Sequence, residues 1–363
     1  MMEQFETRRA GLRKLVKKAG AEGILVTNFT NVTYLTGFTG DDSYLLLTDR
    51  ETIIISDPRY TTQLEEECPG IAVHIRPTSK NILEATAEVL KATKTGSLAI
   101  EGEAMTVSQH QRLADKISAQ TVATGGLVEQ LREIKDKHEI AEIREAARYA
   151  EQGFAVLRAT LRPQRTEKEV ADALEHEIRL FGGKGTSFPS IIAVGPRAAL
   201  PHARPTDKTI GSDDFVLVDW GATAKHYKSD LTRVLVTGRI SPKLERIYGV
   251  VLDAQEQAIA AIRPGITGRE VDAVARKVIT DAGFGKQFGH GLGHGIGLDI
   301  HEAPRLNSAN DKPLRPGMVI TVEPGIYIPG WGGVRIEDDI LVTKTGHEVL
   351  TSVSKQLSEM VIH

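Results

Sequence analysis

Residues 289–301 read GHGLGHGIGLDIH, with histidines at 290, 294 and 301 and glycine at every odd position from 289 to 297. Imidazole nitrogens bind metals, carry protons or support a developing negative charge. The glycines argue against a helix, since each costs about 1 kcal/mol relative to alanine. In an extended segment residues two apart share a face, which puts His290, Leu292 and His294 on one side. The other side is bare glycine and admits another backbone or a ligand at close range. A glycine-rich turn with internally satisfied histidines is the plainer alternative. Two familiar motifs do not fit. The strict alternation matches no frame of G-x-G-x-x-G, and His301-Glu302-Ala303-Pro304-Arg305 has arginine where H-E-x-x-H needs histidine, with Pro304 opposing a helix.

Carboxylates form the second set. Asp219 follows FVLV, Glu323 follows VITV, Asp230 opens the run DLTRVLV, and Glu337 lies in RIEDDILV. Asp219 and Glu323 arise from apolar strands, so burial is expected. A buried carboxylate without a partner takes up a proton or finds a cation. Arg233 and Arg335 are nearby, but two divalent metal ions compensate four carboxylates and a neutral imidazole better. Oxygen-rich ligation with one imidazole suits Mn²⁺ or Co²⁺, and Zn²⁺ less decisively. Two such ions about 3.5–4 Å apart activate water and clamp a polarised carbonyl, which is machinery for hydrolysis.

An internal repeat supplies the elements that position these groups. LRPQRTEKEV at 161–170 resembles IRPGITGREV at 262–271, and each restarts a helix with a T-x-x-E capping box, Thr166/Glu169 and Thr267/Glu270. DKTIGSDDFVLVDWG at 207–221 lines up with DKPLRPGMVITVEPG at 311–325, which sets Asp219 opposite Glu323. A second strand then returns carrying Asp230 in one half and Glu337 in the other. Each half therefore reads as helix, helix and antiparallel hairpin with a carboxylate on each arm. Two halves packed about a pseudo-twofold axis bring four carboxylates together.

Upstream, alternating strands and helices predict a small α/β domain over 1–127. A helix over 4–19 is followed by the β-rich runs GILVT, SYLLLTD and TIIIS, a helix over 80–93, the strand SLAIEG, the helix HQRLADKISA and the strand QTVAT. Arg59 and Tyr60, in DPRYTTQLEEE, read as a solvated helix start. The charged stretch 128–162 reads as the junction and first helix of a second domain, 128–363, stopping at Pro163.

The 363 residues are 40% hydrophobic and 26% charged, an ordinary globular composition. A net charge of −3 gives no support for nucleic-acid or anionic-membrane binding. The one cysteine, Cys68, excludes an intrachain disulfide and a cysteine zinc site. No apolar run approaches membrane-spanning length and the N-terminal residues lack a signal-peptide core, so a cytoplasmic protein is expected.

In their order along the chain GFTG, DPRY, IKDKHEIAEIREA, VDWGA, SDLTR, GHGLGHGIGL, VEPGIY and RIEDD resemble the pita-bread metallopeptidases over nearly the full length. The nearest group is that of Xaa-Pro dipeptidase (prolidase) and Xaa-Pro aminopeptidase (aminopeptidase P). The resemblance implies an α/β N-terminal domain of the creatinase/prolidase type and an α+β pita-bread catalytic domain with a pseudo-twofold repeat. It implies that Asp219 chelates one metal, that Asp230 and Glu337 bridge both, and that His294 and Glu323 bind the second. His202, His290 and His301 then line the substrate pocket, orienting substrate and stabilising the oxyanion. Glu323 is the expected proton shuttle, and Arg335 holds the metal-bound carboxylates. The plainer alternative for Arg335 and His202 is a structural salt bridge or a surface position. Arg305 resembles the carboxylate-binding residue of prolidases, with a solvent-facing arginine as the alternative. The implied substrates are short proline-containing peptides cut at the Xaa-Pro bond, dipeptides ahead of the longer peptides of aminopeptidase P. Five intact ligands argue against a metal-free, creatinase-like amidinohydrolase and against a non-catalytic peptide-binding module. Methionine aminopeptidase is a further relative that usually lacks such an N-domain. That domain also implies a homodimer in which one subunit's N-domain borders the other's pocket.

Overall fold

The apolar runs of the first third of the chain pair into one six-stranded mixed sheet. The computed structural model describes residues 2–362, and the chain divides into two units between Arg132 and Glu133. The first contains α1 (Met2–Lys18), β1 (Gly23–Val26), α2 (Phe29–Thr36), β2 (Tyr44–Thr48), β3 (Thr52–Ser56), α3 (Thr61–Glu67), β4 (Ala72–Ile75), α4 (Ile82–Thr93), β5 (Ser97–Glu101), α5 (Val107–Ala114), β6 (Gln120–Thr124) and α6 (Leu127–Arg132). The sheet order is β4-β3-β2-β1-β5-β6. Leu25, Leu46, Ile55, Leu98 and Ile100 of the sheet pack against Leu83, Val89 and Leu90 of α4.

Sequence patterning does not anticipate α2 or β4. The threonines of FTNVTYLT disguise α2, which is set by an Asn28 side-chain cap and a left-handed Gly37. Asp57 caps the turn that leads into α3, and the Arg59 side chain is 66% exposed, so the reading of DPRY as a solvated helix start holds. The helical stretch over 128–162 is two helices, because Asp136 forms a capping box that starts a new one. The division follows α6 because Arg132 donates to Asn31 Oδ1 (2.8 Å) and Asn31 donates to Glu101 (2.6 Å), tying α6 to α2 and β5.

The second unit contains α7 (Lys137–Thr160), α8 (Glu167–Leu180), β7 (Ile191–Val194), β8 (Phe215–Trp220), β9 (Thr223–Ala224), β10 (Tyr227–Lys228), β11 (Leu231–Val236), α9 (Pro242–Ala261) and α10 (Gly268–Asp281). It continues with β12 (Gly293–Gly295), β13 (Glu302–Leu306), β14 (Val319–Val322), β15 (Gly325–Ile328), β16 (Gly332–Arg335), β17 (Asp338–Val342) and β18 (His347–Val349). Both predicted capping boxes form, at the starts of α8 and α10. The strands make two larger sheets, β11-β8-β7 and β13-β12-β14-β17-β18, with the ribbons β9-β10 and β15-β16 extending the hairpins. An isolated bridge between Thr232 and Glu337 joins the halves. Each half has the two helices and the antiparallel hairpin that the repeat implied.

Register refines the repeat. Asp219 pairs with Thr232 in the first hairpin. In the second, Val322 pairs with Asp338 and Gly325 with Arg335, so Glu323 faces Glu337. Thr232 is therefore the counterpart of Glu337, and Asp230 is the counterpart of Arg335. The two hairpins do not carry equivalent carboxylate pairs, although all four acids reach one place. Among the described residues no helix is long and apolar enough to cross a membrane.

Candidate metal centre

Strand alternation aims the acids. On β8, Val216, Val218 and Trp220 pack with α7 and α8, while Phe215 and Leu217 turn the other way, and Asp219 continues their face. Ile320, Val322, Ile340 and Val342 belong to the core shared with α9 and α10. Glu323 and Glu337, at odd positions, lie on the opposite face. The same parity removes Arg233 from the site. It is fully buried and donates to Asp338 Oδ1 (2.7 Å) and to the Glu337 carbonyl (2.6 Å).

Only Gly293–Gly295 of the glycine-rich stretch is a strand, paired with β13 on one side and β14 on the other. A Cβ on Gly293 would overlap the Thr321 carbonyl oxygen, and one on Gly295 that of Ala303. The glycines thus admit neighbouring backbones. Leu292, expected beside the two histidines, instead packs in the core, because the segment is irregular before Gly293.

A cavity of about 780 Å³ is lined by His202, Asp219, Asp230, His290, His294, His301, Arg305, Glu323, Arg335 and Glu337, so every residue to which the resemblance gave a role meets there. Ligand atoms of Asp230, His294 and Glu337 lie within 4.8 Å of one another. His294 Nε2 is 3.4 Å from Glu323 Oε1 and 3.8 Å from Asp230 Oδ2. Its Nδ1 lies 3.0 Å from the Gly295 carbonyl, which can only accept, so Nδ1 carries the proton and Nε2 offers its lone pair to the acids.

Arg335 is buried and ion-paired to Asp219. It also donates to Thr232 Oγ1 (3.1 Å), which donates to Glu337 Oε2 (2.6 Å). The guanidinium thus holds one acid directly and another through a hydroxyl. Arg335 further donates to Tyr327 Oη (2.7 Å). That hydroxyl lies 2.9 Å from His290 Nε2, whose Nδ1 faces the Gly291 carbonyl at 2.8 Å. Tyr327 lines the cavity; it closes the motif VEPGIY, but the sequence reading gave it no role. Its signal was present, since it lies four residues after Glu323 on the same hairpin arm.

Burial pushes Asp219 up and drives Asp230 and Glu337 well above the usual carboxylate range, with mutual repulsion adding to the last two. Glu323 is pushed up to about 7 by burial, against the pull of Arg335. Burial lowers His294 to about 3, which keeps it neutral. Asp219 Oδ1 and Asp230 Oδ1 are buried with no hydrogen-bond partner. Orphaned carboxylate oxygens beside a bare imidazole nitrogen fit divalent cations. The sign of the pH dependence follows. Metal needs the ionised acids; Glu323, pushed up to about 7, holds a proton below that pH, whereas His294, lowered to about 3, binds as the neutral ring throughout. Affinity therefore rises from about pH 5.5 to 8, and loading near pH 6.5 releases protons. Mn²⁺ uptake followed in weak buffer with a pH indicator checks this, and uptake without proton release contradicts it.

Residues 141–344 match the model of metallopeptidase family M24, and residues 8–134 match the creatinase/prolidase N-terminal domain. The chain belongs to metallopeptidase family M24. It is a peptidase of the pita-bread fold, of a kind that works with divalent metal ions. It is 36% identical to the Xaa-Pro dipeptidase of Pyrococcus furiosus over 95% of this chain and 99% of that one. Among solved structures, the Xaa-Pro dipeptidase from Bacillus anthracis is similar with a TM-score of 0.94 and 42% identity, covering 97% of this chain and 99% of that chain. An X-Pro aminopeptidase from Thermotoga maritima is similar with a TM-score of 0.87 and 35% identity, covering 94% and 98%.

Proposed function

We propose that this enzyme hydrolyses the Xaa-Pro bond of dipeptides, using two Mn²⁺ or Co²⁺ ions held by Asp219, Asp230, His294, Glu323 and Glu337. The observation that carries the dipeptide reading is Arg305. It lies on β13 in register with His294, its side chain lines the cavity, and among the described residues it makes no ion pair. A dipeptide ends in a carboxylate one residue beyond the scissile bond, and a guanidinium can grip it bidentately. The similarity to dipeptidases supports the same choice.

When bound, the two cations supply Lewis acidity, polarising the scissile carbonyl and acidifying a water. The chain's residues do the rest. Water adds to the carbonyl carbon, and Glu323 takes its proton. The bond from that carbon to the prolyl nitrogen breaks, and Glu323 delivers the proton to the nitrogen. Xaa and free proline leave. His202, His290 and His301 orient the substrate and support the oxyanion, and Tyr327 fixes the His290 ring. We assign 1–127 to the N-terminal domain and 128–363 to the catalytic domain, and infer a homodimer. A single cysteine, buried as a thiol, fits a reducing compartment such as the cytoplasm.

Arg305→Ala raises KM for Ala-Pro by about 10-fold or more, because a charge-assisted hydrogen bond contributes about 1.5–3 kcal/mol. It leaves a tripeptide, whose carboxylate lies a residue further on, nearly unaffected. Steady-state kinetics on both substrates checks this. Wild-type enzyme that cleaves Arg-Pro-Pro faster than any Xaa-Pro dipeptide moves the assignment to an aminopeptidase.

A further inference from the structure

The segment 288–293 leads two histidines into the cavity, yet its glycines at 289, 291 and 293 give it few side chains to fix its own path. A pair on α10 does so instead. Asp272 and Arg276, one helical turn apart, form a bidentate ion pair with both contacts at 2.8 Å. The guanidinium donates onward to the carbonyls of Phe288 (3.1 Å) and His290 (2.9 Å). Asp272 Oδ1 accepts from the Leu292 amide (3.1 Å). One fork therefore holds main-chain groups of three alternate residues, 288, 290 and 292. The guanidinium carbon also lies 4.3 Å from the centre of the Phe288 ring, and that ring stands edge-on to His290 at 5.1 Å. Asp272 is 1% exposed, and neither member of the pair lines the cavity.

We propose that Asp272 and Arg276 are positioning residues for the peptidase. They fix the backbone at His290 so that its ring stays on the Tyr327 hydroxyl and presents one fixed tautomer to the substrate. A long helix-borne pair is suited to this, because the pattern of two carbonyls and one amide needs a planar donor fork backed by a carboxylate. Lysine cannot reproduce the fork. The proposal rests on the reading that His290 serves the substrate.

The test compares Mn²⁺-loaded wild type, Arg276→Gln, Arg276→Lys and Asp272→Asn, each also in a His290→Ala background. Arg276→Gln is expected to keep its metal content and its KM for Ala-Pro within about 2-fold. Its kcat falls about 10-fold, the scale of a displacement well under 1 Å of a group at the reacting centre. Arg276→Lys recovers little of that loss. In the His290→Ala background the same substitutions cost no further rate, the coupling expected of groups acting through one another. Side-chain ¹⁵N spectra of selectively labelled histidine show the His290 ring shifting in Arg276→Gln. Should Arg276→Gln fail to fold, Asp272→Asn, which keeps one oxygen acceptor and replaces the other with a donor, carries the comparison. An unchanged kcat, or an equal loss with and without His290, overturns the proposal. If wild type does not cleave Ala-Pro, the substrate reading alone falls, and the His290 resonances decide the positioning role.

Discussion

Enzyme stripped by a chelator until elemental analysis finds no metal loses peptidase activity by roughly 10³-fold or more, and Mn²⁺ or Co²⁺ restores it. The expectation comes from what the site holds without cations. Asp219, Asp230, Glu323 and Glu337 crowd one cavity, and one arginine, Arg335, is hydrogen-bonded into that cluster. Burial and repulsion raise the acids toward protonation, a state in which they neither polarise a carbonyl nor activate water. Metal ions reverse both conditions and contribute several kcal/mol to the transition state. Full turnover by protein shown to be metal-free contradicts the two-metal assignment.

The second large effect separates two histidines whose rings stand edge-on, 4.4 Å apart. His294 is buried, its Nδ1 proton is committed to the Gly295 carbonyl, and its Nε2 faces Glu323 and Asp230. His294→Ala therefore lowers metal occupancy, and activity falls with it. His301 is exposed at the cavity wall and is absent from the close donor group. His301→Ala keeps its metal and loses roughly 10²-fold in kcat, the usual cost of removing one oxyanion donor. Metal analysis beside kinetics for both variants tests the distinction, and equal metal loss in both variants refutes it.

Much of this was legible because short-range signals carry it. Thr166/Glu169 and Thr267/Glu270 announce two helix starts, and the apolar runs before Asp219 and Glu323 announce buried acids. What was hidden depends on parity and register. Arg233 and Arg335 look equally available to the acids along the chain. Arg233 lies one residue out of phase on its strand and serves Asp338, while Arg335 shares the face of Glu337. Asp230 and Glu337 look like counterparts until hairpin pairing sets Thr232 against Asp219. Leu292 left the histidines' face because the ribbon is regular for only three residues. The hold of Arg276 on the segment 288–292 joins helix to loop through main-chain carbonyls, which no side-chain pattern advertises.

Gly293 and Gly295 are wedged between carbonyl oxygens of the strands on either side. Their contribution is thinness rather than mobility. Three backbones lie closer than any side chain permits, and even alanine would have to push a neighbouring strand aside. Point mutation therefore has almost no viable path through this ribbon, and descendants of the chain inherit it unaltered or lose the site. Divergence toward other peptides must proceed elsewhere on the lining, where Phe188, Pro189, Ile191 and Arg204 border the same cavity without supplying a metal donor. The enzyme's chemistry and its taste in substrates are thereby free to evolve at different rates.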